Sequence, residues 1–131
     1  MYVSDHLQIN EQGHLSIGGC DTVQLAEQFG TPLYVMDENQ IRSNCRRYQS
    51  SFEKHYQGRG MTVYASKAFN CKAICRMIEE EGLGLDVASG GELYTAIQAG
   101  FPAERIHFHG NNKTEQEIRL ALEYELSLIH I

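Results

Sequence analysis

The strongest constraint on the fold is an alternation of predicted strands and helices that fills the chain from Met61 onward. Four apolar runs suited to strands are separated by three segments with helical spacing. Each strand–helix unit takes about 20 to 25 residues, enough for a right-handed crossover between parallel strands. The predicted strands begin at Thr62, Leu83, Ile106 and Leu126, and the last one runs to Ile131. The pattern therefore predicts an α/β fold with a parallel sheet.

Three capping boxes predict where helices begin. They are formed by Asp37 with Gln40, Ser89 with Glu92, and Thr114 with Glu117. The helix after Asp37 has an inward stripe at helical spacing, namely Ile41, Cys45, Tyr48, Phe52 and Tyr56.

A fourth helix is predicted between Asn70 and Gly82. Its expected inward residues are Ala73, Ile74, Met77 and Ile78. Its carboxyl end is expected to be weakly capped, because the acids Glu79–Glu81 crowd the negative end of the helix dipole.

The amino-terminal part does not show this alternation of strands and helices. Alternating apolar positions in Leu7–Cys20 predict a short hairpin or extended arm, and Asp21–Gly30 has helical spacing. Thr31–Met36 is a strand candidate. We expect two parts, an arm, helix and strand over residues 1–36, and a parallel α/β unit over residues 37–131.

Two architectures share the strand–helix pattern. A doubly wound sheet usually carries G-x-G-x-x-G at its first turn, which is absent here. A TIM-type (β/α)8 barrel fits better, but about four strands are only half of one. We therefore expect a partial barrel, truncated after about four strands, with uncovered strand faces that promote aggregation or pairing.

Composition excludes several classes of function. The chain has 131 residues, 42% of them hydrophobic, and a net charge of −6. No block of basic residues exists to neutralise phosphates, so nucleic acid is not expected as a partner. No apolar run is long enough for a membrane span, and Met1–His6 lacks the features of a signal peptide, so a cytoplasmic location is expected. The four cysteines form no CxxC pair, which favours packed thiols over a metal site.

Three residues with chemical potential lie at predicted strand ends, namely Lys67, Asp86 and His109. The carboxyl ends of barrel strands converge on one mouth, where an amine, a carboxylate and an imidazole could face one ligand. Each also has a structural reading. Lys67 could be a solvated cation or a desolvated amine that reacts with aldehydes; Asp86 could cap a loop, and His107 and His109 could be packed core histidines.

Four segments give these residues a family resemblance. The sequence resembles the amino-terminal part of the diaminopimelate decarboxylase family, pyridoxal-phosphate enzymes of fold type III with the alanine-racemase-like fold. The matching segments occur in family order, namely Leu25–Val35, Tyr64–Phe69, Gly84–Leu93 and Ile106–Lys113.

The resemblance implies that Lys67 carries pyridoxal 5′-phosphate as a Schiff base, with Asp86 beside it, Glu92 supporting the same mouth and His109 in a loop typical of the diaminopimelate branch. It implies decarboxylation of a small-molecule amino acid, meso-diaminopimelate, to L-lysine by a homodimer. Residues 1–36 would pack with a β domain that is missing here.

The resemblance also limits the expectation. It places the phosphate loop, the partner of the pyridine nitrogen and the substrate arginines beyond Ile131, so the chain alone is expected to be inactive. The end of the chain lacks an acid that the family carries after its fourth strand, which suggests a truncated reading frame. The alternatives are another fold-type III enzyme (an ornithine or arginine decarboxylase or an amino-acid racemase) or a non-catalytic homologue.

Overall fold

The computed structural model describes residues 6–130. The chain divides into two compact units, Met1–Asn44 and Cys45–Ile131. The predicted final strand reaches Ile131 and the predicted absence of a signal peptide concerns Met1–His6, so both predictions extend outside the described residues. No helix in the described range combines the length and apolar character needed to cross a membrane.

The first unit contains the predicted hairpin. Strands β1 (Leu7–Ile9), β2 (Leu15–Ile17) and β3 (Cys20–Asp21) form an antiparallel sheet in sequence order. Helix α1 (Thr22–Phe29) follows directly. The hairpin and the helix are both confirmed.

One carboxylate joins this hairpin to α1. Asp21 is the N-cap of the helix, and its carboxylate accepts hydrogen bonds from Val23 N at 2.8 Å and Gln24 N at 3.4 Å. It also accepts from Asn10 Nδ2 at 2.6 Å and lies 2.9 Å from His14 Nδ1. These contacts, with His14 contributing most, lower the pKa of Asp21 to about 2.

The predicted strand Thr31–Met36 is wrong. The segment forms no strand, and the Tyr34 side chain is 98% exposed. A strand exists only when a neighbour completes its hydrogen bonds, and no described strand pairs with this segment. Its apolar composition alone was therefore misleading.

Helix α2 (Glu38–Tyr56) begins as predicted, because Asp37 Oδ1 accepts from Gln40 N at 3.1 Å. Its inward stripe is only partly correct. Cys45 is buried, but Tyr48 and Tyr56 are each 63% exposed. Helical spacing identifies one side of a helix, but it does not supply the surface that covers that side.

The second unit is a succession of parallel strands and helices. The remaining elements are β4 (Val63–Ala65), α3 (Lys72–Glu80), β5 (Gly84–Val87), α4 (Gly90–Ala99), β6 (Ile106–Phe108), α5 (Glu115–Glu123) and β7 (Leu128–Ile129). Strands β4 to β7 form one parallel sheet in sequence order. The predicted α/β order is confirmed.

The core lies on one face of this sheet. Register partners across a sheet point to the same side, and here that side is apolar and fully buried. Its strand residues are Leu85, Val87, Ile106 and Phe108; the helices contribute Ile74, Cys75, Ile78, Leu93, Ala96 and Ala121. Burial of this layer drives the packing of helices on the sheet.

Helix α3 departs from its prediction in two ways. Ala73 is exposed and Cys75 is buried, so the inward stripe is displaced around the helix. The carboxyl end is also well capped. Gly82 has a φ of +75°, Leu83 N donates to Ile78 O, and Gly82 N donates to Glu79 O, which together form a Schellman motif.

Two arginines neutralise the acids that were expected to weaken that cap. Arg46 pairs with the Glu81 carboxylate through two hydrogen bonds of 2.7 Å. Arg105 Nη2 pairs with Glu79 Oε1 at 2.7 Å. The cluster of acids could be read from the sequence, but the arginines that pair with them lie far away in the chain and could not.

Candidate functional site

The strand register brings the candidate site together at the carboxyl ends of β4, β5 and β6. Ala65, Asp86 and His107 are neighbours in register, one on each strand. Lys67 lies two residues beyond Ala65, in the 3₁₀ turn Ser66–Ala68. The predicted position of Lys67 after a parallel strand is therefore correct.

The turn that carries Lys67 begins with a buried residue and continues with exposed ones. Ser66 is fully buried, whereas Lys67 is exposed and makes no hydrogen bond or ion pair with any group in the described range. The backbone after the turn is held by Tyr64, whose hydroxyl donates to Phe69 O at 3.0 Å. Burial raises the pKa of the Tyr64 phenol, which keeps it a donor.

Asp86 and His109, which the sequence placed at the ends of neighbouring strands, lie against each other in the structure. His109 Nδ1 lies 2.7 Å from Asp86 Oδ1, with side chains 58% and 21% exposed respectively. The approach is close, but it lacks the alignment of a hydrogen bond. Asp86 Oδ1 is thus a buried oxygen with no hydrogen-bond partner in the described part of the chain. The exposure of His109 rules out the alternative of a packed core histidine for this residue.

The loop after β6 is shaped around backbone contacts. His109 N donates to Val87 O at 2.8 Å, which continues the parallel ladder. Gly110 has a φ of +96°, and a Cβ there would lie 3.2 Å from Ala88 O, so both conformation and space favour glycine. Lys113 Nζ lies 4.9 Å from the centre of the Phe108 ring and donates to Gly110 O.

Glu92, at the start of α4, is the most connected carboxylate near the lysine turn. Its Oε2 accepts from Ser66 Oγ at 2.5 Å and from Ala88 N at 2.8 Å. Its Oε1 accepts from Ser89 Oγ at 3.2 Å, and Ser89 Oγ accepts from Glu92 N at 3.3 Å as the N-cap. The predicted capping box forms in a modified version, since Ala88 N replaces the N-cap amide as donor.

Glu117 makes an equivalent junction between α5 and α4. Its carboxylate completes the predicted capping box with Thr114 and also accepts from Gly90 N at 2.7 Å. These donors, led by the Thr114 backbone, lower the pKa of Glu117.

Sequence reasoning missed two of these links, the bond from Ser66 and the bond from Gly90. A serine that directly precedes the lysine in an apolar strand was the only signal for the first. The second had no signal, because Glu117 was already explained by its capping box. The structure therefore unites Asp86 with His109 and Glu92 with the lysine turn, but it shows no direct polar contact from Lys67 to either group.

Comparison with known proteins places this geometry in a family. Residues 38–131 match the model of the pyridoxal-dependent decarboxylase, pyridoxal binding domain. This chain belongs to the pyridoxal-dependent decarboxylase family. The match confirms the cofactor class predicted from the sequence.

Individual relatives agree with this assignment. Diaminopimelate decarboxylase of Bacillus methanolicus is 50% identical over 129 residues, which cover 98% of this chain and 30% of the relative. The Bacillus subtilis enzyme of the same name is 51% identical and is covered to 29%. The chain thus spans about 30% of the length of the curated relatives it matches.

Solved structures confirm the fold. Diaminopimelate decarboxylase of M. jannaschii, in co-complex with L-lysine, has a TM-score of 0.89 at 42% identity, over 97% of this chain and 30% of that one. A lysine/ornithine decarboxylase of Vibrio vulnificus, complexed with putrescine, has a TM-score of 0.72 at 28% identity, over 82% of this chain and 28% of that one. The four-stranded parallel sheet is therefore a partial TIM-type barrel of the fold-type III enzymes.

Proposed function

We propose that this chain forms the pyridoxal-phosphate-binding part of an enzyme that converts meso-diaminopimelate into L-lysine and carbon dioxide. The observation that carries the proposal is the exposed amine of Lys67 in the turn after β4, next to strands that end in the Asp86–His109 pair. The family supports the cofactor, and relatives about 50% identical support the substrate. The same proposal includes a homodimer and a cytoplasmic location.

The residues present suit this cofactor. Lys67 offers a primary amine that reaches solvent and has no ionic partner in the described range. Asp86 offers a buried oxygen that receives no aligned hydrogen bond in the described range, although His109 Nδ1 lies 2.7 Å away. A ligand group that donates to this oxygen would complete its hydrogen bonding.

Each residue has a distinct role in this proposal. Lys67 would hold the aldehyde carbon of the cofactor through Nζ. When bound, the cofactor supplies an electron sink for the carbanion left as the α-carboxylate departs as carbon dioxide. The Asp86 carboxylate would favour a cationic nitrogen at this mouth, and the His109 imidazole would limit the movement of that carboxylate from 2.7 Å away.

The main alternative is another decarboxylase or a racemase of the same fold type. The Vibrio vulnificus lysine/ornithine decarboxylase is 28% identical to this chain, whereas the diaminopimelate decarboxylases of M. jannaschii and Bacillus subtilis are 42% and 51% identical and that of Helicobacter pylori is 29% identical. A non-catalytic homologue is disfavoured, because the chain retains Lys67 at the end of β4.

A hybrid enzyme tests the proposal. This chain would replace the matching part of the Bacillus methanolicus relative, and carbon dioxide release would be measured with meso-diaminopimelate and with L-ornithine. We expect release from meso-diaminopimelate, a loss of more than about 100-fold in Lys67→Arg, and little change in Lys72→Arg, which alters an exposed lysine five positions further on. Borohydride reduction should fix the cofactor on the Lys67 peptide.

Three results would contradict the proposal. A preference of the hybrid for L-ornithine would favour the alternative substrate. Cofactor recovered on a different lysine would remove Lys67 from its role. Release of carbon dioxide by the 131-residue chain alone would show that its residues suffice, against our expectation that they do not.

A further inference from the structure

We propose that Glu92 is a positioning residue that fixes the Lys67 turn on both sides. The inference rests on the proposed role of Lys67 and deepens it. It begins from the contacts of one carboxylate and one carbonyl of the same residue, which reach Ser66, the first residue of the lysine turn, and Asn70, two residues after that turn.

The contact before the lysine is the stronger one. Ser66 is fully buried, and its hydroxyl donates to Glu92 Oε2 at 2.5 Å. A hydrogen bond to an ionised carboxylate is shorter and stronger than one between neutral groups. A buried serine also has no water to replace this acceptor, so loss of the bond leaves the hydroxyl unsatisfied.

The contact after the lysine uses the Glu92 backbone. Asn70 Nδ2 donates to Glu92 O at 3.4 Å, a long bond, while Asn70 Oδ1 accepts from Cys75 Sγ at 3.2 Å. Asn70 is thereby held between the first turns of α3 and α4. Lys67 lies between Ser66 and Asn70 in the chain, and both of these residues donate hydrogen bonds to Glu92.

Glu92 is itself immobilised by the end of β5. Ala88 N donates to the same oxygen that accepts from Ser66, at 2.8 Å, and Ser89 caps α4 through Glu92 N. The carboxylate is therefore fixed relative to β5, where Asp86 lies two residues before Ala88. Through Glu92, the position of the strand that carries Asp86 therefore determines the position of the turn that carries Lys67. Without this link, the backbone of the turn would be free to move relative to Asp86.

Glu92→Gln tests this inference with a matched control. It keeps the shape of the side chain but replaces one acceptor oxygen with a donor. Glu117→Gln is the control, because Glu117 also caps a helix and bonds to a neighbouring backbone amide but does not contact the lysine turn. Ser66→Ala removes the other partner, and the double variant Ser66→Ala with Glu92→Gln completes a cycle.

Two measurements on the 131-residue chain separate positioning from general stability. The first is amide hydrogen exchange over residues 66–69, which needs no cofactor. The second is the ratio of Lys67 to Lys72 labelling by pyridoxal phosphate with borohydride, which compares two exposed lysines in the same molecule. We expect exchange about 10-fold faster in Glu92→Gln and in Ser66→Ala, with no further increase in the double variant, and a lower Lys67 to Lys72 ratio in both single variants.

The outcomes are decisive in each direction. Unchanged exchange and an unchanged labelling ratio in folded Glu92→Gln would overturn the inference, as would equal effects in Glu117→Gln. If Glu92→Gln does not fold, Ser66→Ala decides by the same two criteria. If Lys67 is not labelled in the hybrid enzyme, the proposed function fails, while the exchange measurement on the 131-residue chain still tests whether Glu92 positions the turn.

Discussion

The two faces of the parallel sheet differ in what covers them. On one face Leu85, Val87 and Phe108 are at most 1% exposed beneath the helices. On the other, Asp86 is partly accessible and Leu128 is 49% exposed. The covered face stabilises the unit, and the open face holds the groups with chemical potential. Desolvation of a charge is costly, so polar residues collect where burial is incomplete.

The largest expected effect tests the covered face. Leu85→Ala removes a fully buried side chain from the centre of the layer and leaves a cavity. We expect the free energy of unfolding to fall by about 2 to 5 kcal/mol, measured by urea unfolding with circular dichroism. A loss well below 1 kcal/mol would mean that this layer does not stabilise the fold.

A pH dependence should follow from the same layer. Cys75 is fully buried on α3, and burial raises the pKa of its thiol from 9.0 to about 11. The neutral thiol is favoured in the folded state, so its contribution is complete below pH 9 and is lost as the pH rises towards 11. The expected loss is of order 2 kcal/mol.

The comparison of the unaltered chain with Cys75→Ala isolates this contribution from other groups that titrate in the same range. The difference in unfolding free energy between the two proteins should shrink from pH 9 to pH 11. Alkylation provides a second check, because exposed Cys20 should react well before Cys75. A constant difference across this range would refute the assignment.

The smallest expected effect belongs to the open face. Leu128→Thr keeps a residue that favours strands but makes an exposed position polar. We expect a change below about 0.5 kcal/mol in unfolding free energy and less self-association in analytical ultracentrifugation, because an uncovered apolar surface is removed. A loss comparable to that of Leu85→Ala would mean that both faces stabilise the unit equally.

Much of the architecture could be predicted because its signals are local. The capping box of Thr114 with Glu117 involves neighbours in sequence, and α5 begins where that box places it. Strand and helix order followed from periodicity in the same way. The prediction failed where a segment needed a distant partner, as in Thr31–Met36, which is apolar but has no strand beside it in the described range.

The candidate site shows the same division. The sequence alone determined that Lys67, Asp86 and His109 lie at the carboxyl ends of strands, Asp86 within the end of an apolar run and the other two just after one. Only the tertiary structure decided that Asp86 meets His109 and that Glu92 bonds to Ser66, 26 residues earlier. Contacts between distant residues depend on register and crossover geometry, which no local pattern encodes.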